Sequence, residues 1–331
     1  MLESSKRPVL AVDLGGTKII AAAVLPGSKV MYRNYCLTLA HEGPEAVINR
    51  LLSAIDDART KAKLKTSELT GIVIAAAGPL DTEKGLVTAS PNLPGWQDVP
   101  LRDIIDEKLG VIPYLINDAS AAAVGEHSFG AGNGVNNLVY LTVSTGIGGG
   151  IIIDNKLYSG ANGCAGELGH MTIEPHGPRC NCGNFGCLEV MASGTTIARE
   201  AVKRLRQGEV SSITELAKGK LEDVTAKTVA IAAKQGDPLA CDVVAQAANY
   251  LGIGLANLVN IFNPEMVVIG GGVSQMGEML LKPARKVIKA RAFRLPARTA
   301  RIVRARLGND AGIIGAAAYV FEQQLGRGAI G

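Results

Sequence analysis

One pattern constrains this chain more than any other, because it occurs twice. An apolar strand runs into a glycine turn, a second apolar strand follows, and a tight polar turn closes the unit. The first copy is Pro8–Val12, then Asp13-Leu14-Gly15-Gly16-Thr17, then Ile19–Leu25, then Pro26-Gly27-Ser28. The second lies about 130 residues on: Asn137–Val143, then Ser144-Thr145-Gly146-Ile147-Gly148-Gly149-Gly150, then Ile151–Ile153, then Asp154-Asn155. The likeness is in the order of elements, not in residue identity. It indicates an internally duplicated fold with two strand–turn–strand hairpins.

The intervening segments supply helices and buried strands. Helical spacing runs from Glu45 to Lys63 through Val47, Ile48, Leu51, Leu52 and Ile55. Gly71–Ala77 and Val111–Ile116 read as strands, the latter ending at Asn117-Asp118 and followed by an Ala-rich helix, Ala119–His127. Gly194–Asn263 is helical in pattern, Met266–Ile269 is a strand that enters Gly270-Gly271-Gly272, and a last helix begins near Asp310. A core drawn from 47% apolar but only 4% aromatic residues suits α/β layers, and 331 residues suffice for two lobes.

Charge narrows the partners. The 34 basic and 30 acidic side chains leave a net +4, which gives no reason to invoke nucleic acid or a membrane. Lys282–Arg306 is the local exception, with ten basic residues and no acid. It reads as a solvated helix face with flanking loops, the alternative being a polyanion-binding patch. The uncharged stretch Ser128–Ile153 contains Asn133, Asn136, Asn137 and many glycines, so it reads as helix end, loop, strand and turn rather than a membrane span. The apolar run at the N-terminus stops at Asp13, too early for a signal peptide. A cytoplasmic protein with six reduced cysteines is the expectation.

Glycine turns after strands let backbone approach a phosphate and leave N–H groups free to face oxyanions. Neither turn has the spacing of a P-loop or of a dinucleotide fingerprint. In the first, Thr17 adds a hydroxyl donor and Asp13 suits a water-mediated hold on Mg²⁺. Asp118 stands where a strand ends and a helix starts, so it reads as a helix cap and also as a carboxylate kept ionised to accept a proton.

His170-x9-Cys180-x-Cys182-x4-Cys187 offers four ligands of the kind a tetrahedral, structural Zn²⁺ takes. Cys180 and Cys182 are too close in sequence to pair comfortably as a disulfide. Glu167 and Glu189 flank this element, and carboxylates suit sugar hydroxyls because each oxygen accepts hydrogen bonds. Cys36, Cys164 and Cys241 read as core residues, and Glu126 and Glu174, which read equally well as surface charges, are left out of the site.

These pieces in this order resemble the ROK family of bacterial-type sugar kinases and repressors. The matching stretches are Val12–Lys18, Asn117–Ala121, Ser144–Gly150, Glu167–His170 and Cys180–Glu189, so the likeness covers nearly the whole chain. It implies a two-lobed actin-like ATPase fold, a duplicated ribonuclease H-like architecture. Residues 1–117 with 310–331 would form the smaller lobe, and residues 118–309 the larger one, with a zinc-bound loop. It implies ATP, Mg²⁺ and structural Zn²⁺ as cofactors and a hexose as substrate, in a homodimer or dimer of dimers.

The resemblance also implies site roles. Asp118 is the base, and Gly78, Asn92, Asn117, Glu167, His170 and Glu189 join it in holding the hexose. Asp13, Gly15, Gly16, Thr17, Lys18, Thr145 and Gly146 face the phosphates, and Gly270, Gly271 and Gly272 the adenosine. Ser144 departs from the glycine many relatives carry there. Ser90–Trp96 looks like a stretch of the family's glucokinases and favours glucose over mannose, fructose, N-acetylglucosamine or N-acylmannosamine. ADP and polyphosphate remain open as donors, and a sugar sensor without activity is the less favoured class. A repressor would need a helix-turn-helix module before the Asp13 turn, which only twelve residues precede.

Overall fold

The computed structural model describes residues 7–90 and 92–328. The chain forms two compact units, one of Met1–Gly134, Gly150–Gly166 and Arg306–Gly331, the other of Val135–Gly149 and Glu167–Ala305.

The first unit begins with β1 (Val9–Leu14), β2 (Lys18–Leu25) and β3 (Lys29–Leu37), then α1 (Pro44–Lys61) and β4 (Gly71–Ala76). A small three-stranded sheet follows, β5 (Leu80–Asp81), β6 (Leu86–Ala89) and β7 (Gln97–Val99). Next come α2 (Leu101–Leu109), β8 (Tyr114–Asn117) and α3 (Asp118–Phe129). The main sheet has the order β3-β2-β1-β4-β8. Its first two pairings are antiparallel and its last two parallel.

Side chains alternate across a strand, and here both faces are used. Leu10, Val12 and Leu14 enter a core with Ile19, Ala21 and Ala23 and with Val47, Leu51 and Ile55 of α1. Val9 and Ala11 point the other way, to Ile20, Ala22 and Val24, Ala121 of α3, and Ile313, Ala316 and Val320 of the last helix, Ala311–Gly328. The helix that opens at Asp118 therefore belongs to the core of the first unit.

The remaining elements are β9 (Leu138–Val143), β10 (Ile147–Ile153), β11 (Lys156–Leu157), α4 (Leu188–Ala192), α5 (Gly194–Arg206), α6 (Ile213–Leu216) and α7 (Ala226–Lys234). They continue through α8 (Pro238–Phe262), β12 (Met266–Gly270), α9 (Glu278–Arg291), α10 (Arg294–Thr299) and β13 (Arg301–Arg304). The second sheet runs β11-β10-β9-β12-β13. It repeats the plan of the first, with an antiparallel edge hairpin and two parallel pairings. The repeat read from the sequence is thus a repeat of topology, the mark of an α/β actin-like kinase fold.

Helix α8 is capped by Asp237, carries Pro238 at its first position and ends at Asn263 in the left-handed region. Among the described residues it alone is long and apolar enough to cross a membrane, yet 61% of its most apolar window is buried in the protein.

Four local expectations change. The turn expected to extend to Gly150 ends at Gly146, and Gly148–Gly150 lie within β10. A Cβ on Gly150 would stand 2.5 Å from Ala123 Cβ, so glycine here lets α3 lie on the strand. Glu126 is not a surface charge: it is fully buried and accepts backbone N–H groups from Ala131, Arg306 and Leu307. Cys36 and Cys164 are only half-buried and Cys241 is exposed, because it falls on the outer face of α8. The basic run holds a strand as well as helices, β13 pairing in parallel with β12.

Candidate active site

In the first unit, three parallel strands end side by side. Asp13 pairs with Ala75 and Ala76 with Asn117, so Asp13, the Ala76–Gly78 segment and Asn117-Asp118 share the carboxyl edge of the sheet. That edge is where open α/β sheets hold ligands. The β1–β2 turn is tight: Gly15 N–H donates to Lys18 O at 3.1 Å, and Thr38 Oγ1 donates to Gly15 O at 2.6 Å. Thr17 stays exposed at its tip. Burial pushes the Asp13 carboxyl above the usual carboxylate range, with the Lys18 charge opposing. A half-buried carboxylate of that kind has a use for a cation.

Asn117 caps α3. Its Oδ1 accepts from Ala119 N–H at 3.0 Å and Ser120 N–H at 3.1 Å, and its Nδ2 donates to Gly78 O at 3.2 Å. The cap is therefore Asn117 and not Asp118, which is the first helical residue. Asp118 Oδ1 accepts from Ala119 N–H at 2.8 Å, at a helix end whose dipole favours negative charge. Gly78 has a positive φ of 96°, and a Cβ there would meet Ala89 O at 2.5 Å. Asn92 is exposed and presses on the β1–β2 turn, since a Cβ on Gly16 would lie 2.5 Å from its carbonyl. Gly16, Gly78, Asn92, Asn117 and Asp118 thus form one contiguous rim. Pro91 of the Ser90–Trp96 stretch lies outside the described residues, and Trp96 is a core residue.

In the second unit, the turn Ser144-Thr145-Gly146 is fastened on both sides. Ser144 N–H donates to Gly146 O at 2.8 Å, Gly194 N–H to Ser144 O at 2.7 Å, and Thr195 Oγ1 to Thr145 O at 2.8 Å. Glu189 Oε2 accepts from Ile147 N–H at 2.8 Å, and a Cβ on Gly146 would overlap that carboxylate. Glu189 is therefore part of the support of this turn. Gly194 and Thr195, not foreseen from the sequence, open α5 behind the cap Ser193. The run Ser193-Gly194-Thr195 before an amphipathic helix is the signal that marks them.

A cavity of about 740 Å³ opens beside the turn, lined by Thr145, Thr195 and Gly272 and walled by Val224, Ala230, Ile231 and Met276. α7 supplies Ala230 and Ile231 of that wall. Of the three glycines at the end of β12, Gly270 is its last residue, Gly272 lines the cavity, and Gly271, at φ 80°, packs on the end of β9.

Below the same turn lies the cysteine element. One ligand atom each from His170, Cys180, Cys182 and Cys187 falls within 4.8 Å of the others. A tetrahedron with metal–sulfur bonds of about 2.3 Å has edges of about 3.8 Å. Cys182 and Cys187 Sγ are 3.7 Å apart, as are Cys180 Sγ and His170 Nδ1. Burial and the adjoining thiols push the Cys187 thiol up to about 12, a cost that a bound cation would reverse. The donor set and its spacing fit a four-coordinate metal. His170 turns its other nitrogen, Nε2, to Glu167 Oε2 at 3.9 Å. Burial, and secondarily Glu189, raise the Glu167 carboxyl, while His170 lowers it. Among the described residues, no cysteine is in a disulfide.

Two repeats of one sheet plan, each presenting a glycine turn at the carboxyl edge of parallel strands, define an α/β kinase of the actin-like class. The ROK family model matches residues 9–323, and the chain belongs to that family. It is 39% identical to a glucokinase of Halalkalibacterium halodurans over 97% of each chain. It is 37% identical to a xylose repressor of Caldicellulosiruptor bescii, over 96% of this chain and 79% of the repressor. A structure of a ROK family glucokinase from Streptomyces griseus in complex with glucose and AMPPNP superposes with a TM-score of 0.83 at 35% identity, covering 95% of this chain and 99% of that one.

Proposed function

We propose that this protein is an ATP-dependent glucokinase, acting in the cytoplasm, that forms glucose 6-phosphate. The observation that carries the reading is the rim at the sheet edge, where the phosphate turn, Asn92 and Asn117-Asp118 are contiguous. Glucokinase relatives with near-complete coverage support the same reaction. Asp118 takes the proton of the sugar's primary hydroxyl as that oxygen attacks the γ-phosphorus. The bond to the bridging oxygen breaks and ADP leaves. Gly78, Asn92, Asn117, Glu167, His170 and Glu189 bind sugar hydroxyls, and Gly15, Gly16, Thr17, Lys18, Thr145 and Gly146 the phosphates. Mg²⁺, when bound, neutralises the charge on those phosphates, and Asp13 orients it.

The apolar-walled cavity beside Thr145 favours a nucleotide donor over polyphosphate, because only a nucleotide carries a base to fill it. Gly270–Gly272 contribute to this adenosine site. Zn²⁺ held by His170, Cys180, Cys182 and Cys187 braces the loop that presents Glu167 and Glu189. A panel of hexoses with ATP and Mg²⁺ tests the reading. D-glucose is the preferred acceptor, and Asp118→Asn loses about 10²–10⁴ in kcat while still binding glucose. A wide preference for N-acetylmannosamine, or substantial turnover by the Asp118 variant, would overturn it.

A further inference from the structure

The run Lys282–Arg306, with ten basic residues and no acid, plays no part in the kinase reading. Its most exposed point is the segment joining α9 to α10. Phe293 N–H donates to Asn260 Oδ1 at 2.8 Å, which fixes the Phe293 backbone beside the end of α8. Ile261, next to Asn260, is 68% exposed, Phe293 75% and Leu295 71%. Three large apolar side chains thus stand in solvent at one end of the second unit, where a solvated surface would carry polar ones.

Cations flank Phe293 and Leu295 along the chain. Arg291, Arg294 and Arg298 are exposed, and among the described residues none of the three is in an ion pair. The carboxylates of the flanking elements are engaged elsewhere: Glu278, at the far end of α9, holds Arg285 at 2.7 Å, and Glu265 Oε1 accepts from the backbone of Asn136 and Asn137. Apolar tips flanked by unneutralised arginines complement a surface that is negative outside and apolar a few ångströms below.

We propose that this end of the second unit docks peripherally on a bilayer rich in anionic phospholipid headgroups. The three arginines meet phosphates, while Phe293, Leu295 and Ile261 enter the headgroup–acyl boundary. A nucleic acid backbone would satisfy the charge and leave the apolar tips in water. An acidic peptide leaves them there as well, unless it brings apolar residues of its own.

The test uses the full chain and cosedimentation with phosphatidylcholine vesicles, with and without about 30 mol% phosphatidylglycerol. Binding is expected only with the anionic lipid and is lost at high salt. Arg294→Gln with Arg298→Gln weakens it about 25-fold, about fivefold for each charge. Phe293→Ser with Leu295→Ser weakens it more than about tenfold. Both variants keep wild-type kinase activity. The proposal fails if the protein ignores anionic vesicles, or if the apolar variant binds like wild type. It also fails if duplex DNA or a polyglutamate peptide binds more tightly than the vesicles. Self-association that Phe293→Ser abolishes would assign the face to a second copy of the chain and overturn it too.

Discussion

Glu126→Gln isolates one buried carboxylate on which three backbone groups depend. Glu126 is 0% exposed. Oε2 accepts from Ala131 N–H at 2.8 Å, Oε1 from Leu307 N–H at 2.7 Å, and the two share Arg306 N–H at 2.9 and 3.0 Å. These contacts sit close to the points where the chain first leaves the first unit, after Gly134, and last returns to it, at Arg306. Glutamine keeps the shape but only one acceptor oxygen, and its NH₂ must face at least one of the three donors. Each buried donor left without an acceptor costs about 1–3 kcal/mol, with charged hydrogen bonds at the upper end. A loss of about 2–4 kcal/mol follows for one or two orphaned groups. It corresponds to a fall in Tm of roughly 5–10 °C. Glu126→Ala orphans all three donors and opens a cavity, so it falls further. Scanning calorimetry gives the shift, and kinetics well below the melting range should stay near wild type, since Glu126 is no part of the proposed site. A glutamine variant melting within about 1 °C of wild type would show that the carboxylate does not hold these segments.

Three further outcomes follow from the site. Cys182→Ser removes one soft ligand, so bound zinc per chain, measured by plasma mass spectrometry, should fall together with thermal stability and kcat/KM by about 10–100-fold; a metal-free variant with full activity would refute the bracing role. Gly146→Ala forces the Glu189 carboxylate off Ile147 N–H, and a displacement of about 1 Å in this turn should cost about 10²-fold in kcat/KM; unchanged kinetics would show that the turn tolerates the shift. Asp13 has a folded-state pKa above its unfolded value, so its ionisation costs stability above the folded pKa, and that cost disappears as pH falls through it. Asp13→Asn should therefore raise Tm at neutral pH, by an amount that shrinks toward the ordinary carboxylate range, while Mg²⁺-dependent turnover is lost; a variant less stable at neutral pH would contradict the assigned burial.

What could be read in the sequence was what depends on local pattern. The hairpin around Gly15–Gly16–Thr17, the helix after β8 and the His170–Cys187 spacing are each set by neighbours within a few residues, and periodicity or ligand chemistry exposes them. What escaped depends on a distant partner. Gly148–Gly150 look like a loop, yet they are strand because α3, more than 20 residues upstream in sequence, needs room at Gly150. Glu126 looks like any helical glutamate, and only the return of residues 306–307, some 180 positions later, makes it a buried acceptor. Glu189 shows the same limit within the candidate site. Beside the cysteines it reads as a sugar ligand, but the fold also sets its carboxylate under Gly146, so one oxygen is already committed to the β9–β10 turn. A residue tied to the turn at one oxygen cannot be repositioned for a new sugar without disturbing that turn. Changes in hexose preference should therefore be sought at Asn92, which is exposed and whose described neighbours are turns, before Glu189.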